Sequence, residues 1–423
     1  MSKNLTPAIE SLSPSNIYKS VQEMNEYGNR WLGTPGEIKV RDYILNNFKK
    51  NGLTDVHLEE VSYNNYMPKS SYLRIISPTE EIIKCEPLQY SANKTVEGEI
   101  IYVGEGSKPE FENLENNGIS LKGKIVMATS FFPYDYIAYA ENKGAAGFIV
   151  VSDAPHDLIR GLVAKLGPPE LSNPKKHVSK TPGVVIALRS AQKLWSMMSM
   201  NKIKVEIAHE GIYTVKKSSN VIGVVPGTRF PEEILVIGGH YDSQFDGHFA
   251  WDNLTGISSI IEISRIFAKN KPLRTVMFVA FTGEEIGFWG STSFVQKNKE
   301  NFKKNCLAML CLDSLGNVHP TKRGIWAKGK PYLDFILKKA KQVDWPLDTI
   351  FPESWVPWSD HAPFADIGIP AVYIVEFPPI NPYYHTNQDI IDYIDPIKIV
   401  QQANVSVAVA YDIVYKLQKP VIK

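Results

Sequence analysis

Histidine and carboxylate side chains recur where short apolar runs stop. Ile234-Leu-Val-Ile-Gly-Gly-His240 places a histidine just past one run, and Phe278-Val-Ala-Phe-Thr-Gly-Glu284-Glu285 places two carboxylates past the next. Met309-Leu-Cys-Leu-Asp313 ends a third run on an aspartate, and the run closing at Val375 leads through Pro378-Pro379 and Pro382 to His385. A further carboxylate, Asp252, stands in Phe249-Ala-Trp-Asp252-Asn-Leu-Thr-Gly256, just before an amphipathic stretch. Histidine with aspartate and glutamate is a ligand set that suits zinc, with cobalt or manganese as substitutes. The set exceeds what one catalytic zinc needs, whereas two metal ions sharing a bridging carboxylate would use all of it. Aspartate is also a favoured helix N-cap, and for Asp252 the residues alone leave both roles open.

The elements that must position these groups follow from periodicity. Short apolar runs at 234–237, 276–281, 307–312 and 371–375 read as strands buried on both faces. Ile257, Ile260, Ile261, Ser264 and Phe267 form one helical face between them, and Leu333, Ile336, Leu337 and Ala340 form another. Alternation of this kind predicts an α/β fold with a mixed, mainly parallel sheet and helices on both faces. In such sheets ligands bind beyond the carboxyl ends of the strands, which is where the histidines and carboxylates fall. Earlier in the chain, Gly33-Thr34-Pro35-Gly36-Glu37 reads as a turn into a helix bearing Ile38, Tyr43, Ile44 and Phe48, stopped by Asn51-Gly52; a strand is expected at 72–76. Between residues 87 and 210 the texture changes to short strands at 98–104, 124–128, 146–152 and 183–187, with helical pieces at 136–143 and 190–201. This segment reads as a separate, smaller α/β domain; its Asp153, His156 and Asp157 share one polar loop and are expected to be solvated.

The set His240-Tyr-Asp242, Trp251-Asp252-Asn253, Thr282-Gly-Glu284-Glu285-Ile-Gly287, Leu312-Asp313 and Tyr384-His385-Thr386 resembles the co-catalytic zinc exopeptidases, metallopeptidase family twenty-eight. That family includes leucyl aminopeptidases and glutamate carboxypeptidases. Gly123-Lys-Ile-Val and Lys143-Gly-Ala-Ala-Gly-Phe-Ile-Val resemble the protease-associated domain that many members carry as an insertion. The resemblance implies a discontinuous catalytic domain at 1–86 and 211–423, with the protease-associated domain at 87–210. It also implies two divalent metal ions, zinc, and a peptide substrate. Position by position, it assigns one metal to His240 and Asp313, the other to Glu285 and His385, and makes Asp252 the bridge. Asp242 would orient His240 through its other ring nitrogen. Glu284 would be the general base that takes a proton from the attacking water and passes it to the leaving amine. Asp360, in Ser359-Asp360-His361-Ala-Pro-Phe364, is either a further supporting carboxylate or a helix cap, and Tyr384 either stabilises the oxyanion or walls the pocket. His248 matches no family ligand and reads as a loop residue.

Other functions fit less well. With 46 basic and 45 acidic residues in 423, the formal charge is +1, which argues against a nucleic-acid-coating protein. No apolar stretch approaches the ~18–20 residues of a membrane span, and the start lacks an apolar core behind its lysine; a cytoplasmic protein that does not insert into membranes is expected. There is no Gly-x-Ser-x-Gly elbow, no His-Glu-x-x-His helix and no phosphate-binding Gly-x-x-x-x-Gly-Lys loop. Cys85, Cys306 and Cys311 read as core thiols. A non-catalytic receptor on the same scaffold would have lost ligands that are all present here, and a glutaminyl cyclase-like acyltransferase would retain one zinc. Between exopeptidase types, Arg323 and Lys328 are the cations available for a terminal carboxylate, but surface solvation is their simpler reading. Prevalence in the family favours an aminopeptidase. Oligomeric state is not encoded in any of these features.

Overall fold

The computed structural model describes residues 12–166, 171–173, 176–354, 359–377 and 381–420. The chain start and Pro378-Pro379 lie outside the described residues. The chain divides into two compact units, Met1–Ser62 with Lys217–Lys423, and Tyr63–Lys216.

In the first unit the strands lie in the order Thr349–Ile350, Lys322–Ala327, Ala371–Phe377, Cys306–Asp313, Phe230–His240, Arg274–Phe281, followed by the 217–225 part of the strand Lys204–Val225. The central neighbours are parallel. Lys322–Ala327 and the 217–225 stretch join antiparallel, so the sheet is mixed.

Because side chains alternate along a strand, each continuous apolar run feeds two cores. Leu235, Ile237, Phe278, Leu310 and Leu312 pack with helices Pro14–Asn25, Pro35–Lys50, Thr255–Lys269, Lys330–Gln342 and Pro396–Tyr415. Val236, Val279, Phe281, Met309 and Cys311 pack on the other face with Phe294 and Phe302 of Trp289–Asn305 and Phe364 of Ala362–Asp366. Helices Pro14–Asn25, Trp289–Asn305 and Pro396–Tyr415 add to those read from periodicity. Two of these starts have local causes: Ser13 and Asp395 each accept a first-turn backbone N–H, and proline occupies the first helical turn of the Pro14 and Pro396 helices. Cys306 and Cys311 are buried in this core, and Cys85 is partly buried.

In the second unit the strands Lys94–Tyr102, Ile125–Thr129, Gly147–Val151 and Gly183–Ile186 run parallel, with helices Lys108–Asn116, Pro133–Asn142 and Leu188–Met198. The 87–210 segment lies inside this unit, which also takes in residues 63–86 and 211–216. The strands Thr54–Ser77 and Lys204–Val225 each place residues in both units, and an unbroken strand carries no compositional signal at such a border. Asp153, His156 and Asp157 are exposed, as a solvated loop requires.

This unit also buries His209, whose ring stacks on Tyr66 with centroids 5.8 Å apart. Burial lowers its pKa to about 4. A histidine depressed from ~6.5 contributes stability that is complete above ~6.5 and lost as pH falls toward the folded-state value, worth about 3 kcal/mol in all. Thermal unfolding of the metal-free protein between pH 7 and 4.5 should therefore be less acid-sensitive in His209→Gln than in the parent. Equal slopes would show that the ring is protonated without cost.

Candidate metal centre

The strand ends are brought level by register. His240 pairs with Phe281, Gly238 with Cys311, and Asp313 with Val375. Close approach at this level depends on glycine. A Cβ on Gly239 would lie 2.4 Å from the Leu312 carbonyl oxygen, and one on Gly256 equally close to the same oxygen. The strand before His240 and the start of Thr255–Lys269 thus close against the strand that ends at Asp313.

Two groups of ligand-type atoms result, His240 with Asp252 and Asp313, and Asp252 with Glu285 and His385. His240 Nε2 is 3.2 Å from Asp252 Oδ1 and 3.4 Å from Asp313 Oδ1. His385 Nε2 is 3.2 Å from Asp252 Oδ2 and 3.3 Å from Glu285 Oε2. Asp252 therefore turns one oxygen to each histidine. It is not the cap of the following helix: Asn253 Oδ1 accepts from the Gly256 and Ser314 N–H groups at 3.0 and 3.1 Å. The Asp252–Asn253 peptide is cis.

The adjacent glutamates separate at the turn after Phe281, where Gly283 has φ +72°, a conformation that disfavours other residues. Glu285 joins His385, and its Oε2 accepts from Gln244 Nε2 at 2.8 Å. Glu284 belongs to neither group of ligand atoms, although its charge acts on His240. Asp242 does more than face a histidine. Its carboxylate oxygens accept the Glu284 and Glu285 N–H groups at 3.2 and 3.3 Å, which ties that turn to the strand end of His240. His240 Nδ1 lies 3.2 Å from the Asp242 carbonyl oxygen and 3.6 Å from its carboxylate. With Nδ1 so engaged, Nε2 is left for the Asp252 side.

Asp360 is fully buried, and among the described residues no side chain caps the helix Ala362–Asp366 that follows it. Burial pushes its carboxyl up to about 7. Tyr384 stacks on His385 with centroids 3.9 Å apart and meets Trp251 edge-on at 5.8 Å. His248 is exposed, its Nδ1 lies 2.9 Å from the Asn25 carbonyl oxygen, and it belongs to neither group of ligand-type atoms.

Several neighbours were not legible from the sequence. Ser359 and Tyr373 donate to Asp313 Oδ2 at 2.8 and 3.3 Å. Arg30 and Asp389 hold the backbone around Asp252. Ser359 adjoins Asp360 and Asp389 lies four residues past His385, but a lone arginine in Asn29-Arg30-Trp31 has no pattern that separates it from a surface cation.

The electrostatics fit divalent cations. Asp242, Asp252, Glu284, Glu285, Asp313 and Asp360 are all buried. Burial pushes the Glu284 carboxyl well above the usual range; His240 pulls it back, while Glu285, Asp313 and Asp360 add to the rise. Burial alone would depress His240 and His385, yet the carboxylates outweigh it, holding His240 well above its ordinary value and His385 at about 9. Glu285 Oε1 is buried without a hydrogen-bond partner among the described residues. A site that recruits protons onto both histidines is short of positive charge, which metal ions would supply on displacing those protons.

Residues 220–410 match the model of peptidase family M28, and residues 84–194 match the PA domain. The segment 220–410 is thus similar to the M28 peptidases, and 84–194 to PA domains. The chain is 24% identical over 401 residues to carboxypeptidase Q of Xenopus laevis, covering 91% of this chain and 82% of that one. It is 24% identical to aminopeptidase YwaD of Bacillus subtilis, covering 99% and 91%. The structure of BSAP, a zinc aminopeptidase from Bacillus subtilis, superposes with a TM-score of 0.70 at 20% identity, covering 97% of each chain. Relatives named as glutamate carboxypeptidases in Arabidopsis thaliana and Caenorhabditis are longer, and the chain spans 54–59% of their length.

Proposed function

We propose that this metallo-exopeptidase is a zinc aminopeptidase with two metal ions. One would be held by His240, Asp252 and Asp313, the other by Asp252, Glu285 and His385. The observation that carries the reading is Asp252, whose two oxygens each lie 3.2 Å from the histidine of a separate ligand group. Zinc is favoured by the ligand types and by the zinc aminopeptidase of similar fold. Bound metal would supply Lewis acidity toward the peptide carbonyl and lower the pKa of water.

The chain's own groups supply the rest. Glu284 accepts a proton as water oxygen bonds to the carbonyl carbon, then delivers it to the amine as the C–N bond breaks. Its raised pKa suits a group that must both take and return a proton. Asp242 fixes the Glu284 backbone, and Tyr384 stands beside His385, where a phenolic donor can meet a developing oxyanion.

An N-terminal specificity is favoured over a C-terminal one by the cations. Arg323 is engaged bidentately by Asp348 at 2.8 and 3.1 Å, and Lys328 pairs with Glu353 at 3.1 Å. Arg30, the buried cation beside the centre, is committed to backbone carbonyls. A carboxylate-rich centre receives an α-ammonium more readily than an α-carboxylate. Free peptides and peptides blocked at the C-terminus should be shortened from the N-terminus, and N-acetylated ones cleaved at least ~10²-fold more slowly. Mass spectrometry reads the outcome; N-acetylated peptides that lose C-terminal residues would make the protein a carboxypeptidase.

A further inference from the structure

The loop from Tyr241 to Asp252 carries His240 at one end and the shared carboxylate at the other, yet much of its backbone bonding goes to two buried ionisable side chains outside it. Arg30, fully buried, donates from Nε to the Tyr241 carbonyl at 3.0 Å. Its other nitrogens reach the carbonyls of His248, of Phe249 at 2.9 Å and of Asp252 at 3.0 Å. Asp389, 2% exposed, takes the opposite polarity. Its oxygens accept the Trp251 and Asp252 N–H groups at 2.9 and 3.1 Å, and its own carbonyl accepts Ala250 N–H at 3.2 Å. The peptide groups on both sides of the Asp252 Cα are therefore held by ionisable side chains, its N–H by the Asp389 carboxyl group and its C=O by the Arg30 guanidinium.

Buried backbone groups need partners, and charge-assisted ones are the stronger kind. A planar guanidinium presents its donors at fixed angles, which lysine cannot imitate. Phe249, with φ +49°, turns the chain in a left-handed conformation between two of the bonded carbonyls. Neither Arg30 nor Asp389 is among the atoms grouped for metal binding.

We propose that Arg30 and Asp389 are a pair of positioning residues that hold the backbone of Asp252, and thereby set the affinity of both metal positions at once. The inference rests on the two-metal reading above. Gln244 on Glu285 and Ser359 on Asp313 each touch one ligand group, whereas this pair acts on the carboxylate common to both.

The test uses the full chain with Asp389→Asn, which keeps shape but turns an N–H₂ toward one of the two amides, and with Arg30→Lys, which keeps charge but loses the fork. Zinc retention is measured at each position by chelator competition, alongside kcat, KM and metal-free Tm. Both variants should fold and bind zinc ~10–100-fold more weakly at both positions, with kcat lowered and KM little changed. A purely structural role would lower the metal-free Tm and leave zinc affinity of the folded variants unchanged; that result overturns the proposal, as does weakening at one position only. If Asp389→Asn fails to fold, Arg30→Lys decides by the same criteria. Parent protein run in parallel separates the two readings: a parent that binds fewer than two zinc ions removes both, whereas a two-zinc parent with unaffected variants removes only this one.

Discussion

Glu284→Gln should leave metal bound and reduce turnover by ~10⁴-fold or more, at the upper end of what general acid–base assistance provides. The amide keeps the shape of the side chain, but it cannot accept and return the proton that hydrolysis moves. Glu284 lies outside both groups of ligand atoms, so its loss should not empty them. Glu285→Gln should behave differently. It removes a charged oxygen 3.3 Å from His385 Nε2 and should lower occupancy of that position while sparing the one at His240. Metal content and kcat measured on both variants separate the roles. If the Glu284 variant loses metal while the Glu285 variant retains it, the two are exchanged; full activity in both would remove the centre from this part of the fold.

Asp252→Asn should be the most damaging single change to metal binding. Each oxygen of Asp252 faces one histidine, and its negative charge is what those histidines answer: burial would raise its pKa, but the hydrogen bonds from His240 and His385 hold it below the usual range. An amide offers one acceptor and turns a donor toward the other side. Zinc retention at both positions should fall by at least ~10²-fold, against loss at one position for His385→Ala. Titration with zinc followed by elemental analysis measures this. One equivalent held as tightly as in the parent would mean that Asp252 serves a single ion.

The motifs singled out residues whose ligand-type atoms the fold gathers into two groups. His240, Glu285, Asp313 and His385 each stand at or beyond the end of an apolar run, and a parallel sheet with level registers sends such ends to one side. The buried runs were legible for the same reason: a strand covered on both faces must be apolar throughout. Helices Trp289–Asn305 and Pro396–Tyr415 were harder. The first is rich in lysine and asparagine along its second half, and the second is apolar nearly all round, so neither shows a clean stripe. At Asp252 local chemistry could not choose between cap and ligand. Packing rules out the cap, because Asn253 takes the capping bonds and the Asp252 carboxylate faces the histidines. Arg30 and Asp389 lie furthest from anything the sequence could reveal. Their partners are peptide groups more than 130 residues away for Asp389 and more than 200 for Arg30, and backbone atoms leave no mark in a residue pattern. By itself, the sequence determined the kind of fold and the residue types available to hold metal. Only the tertiary structure decided which of two adjacent glutamates faces a histidine and which buried ionisable side chains hold the loop, because both depend on distances set by chain segments remote in sequence.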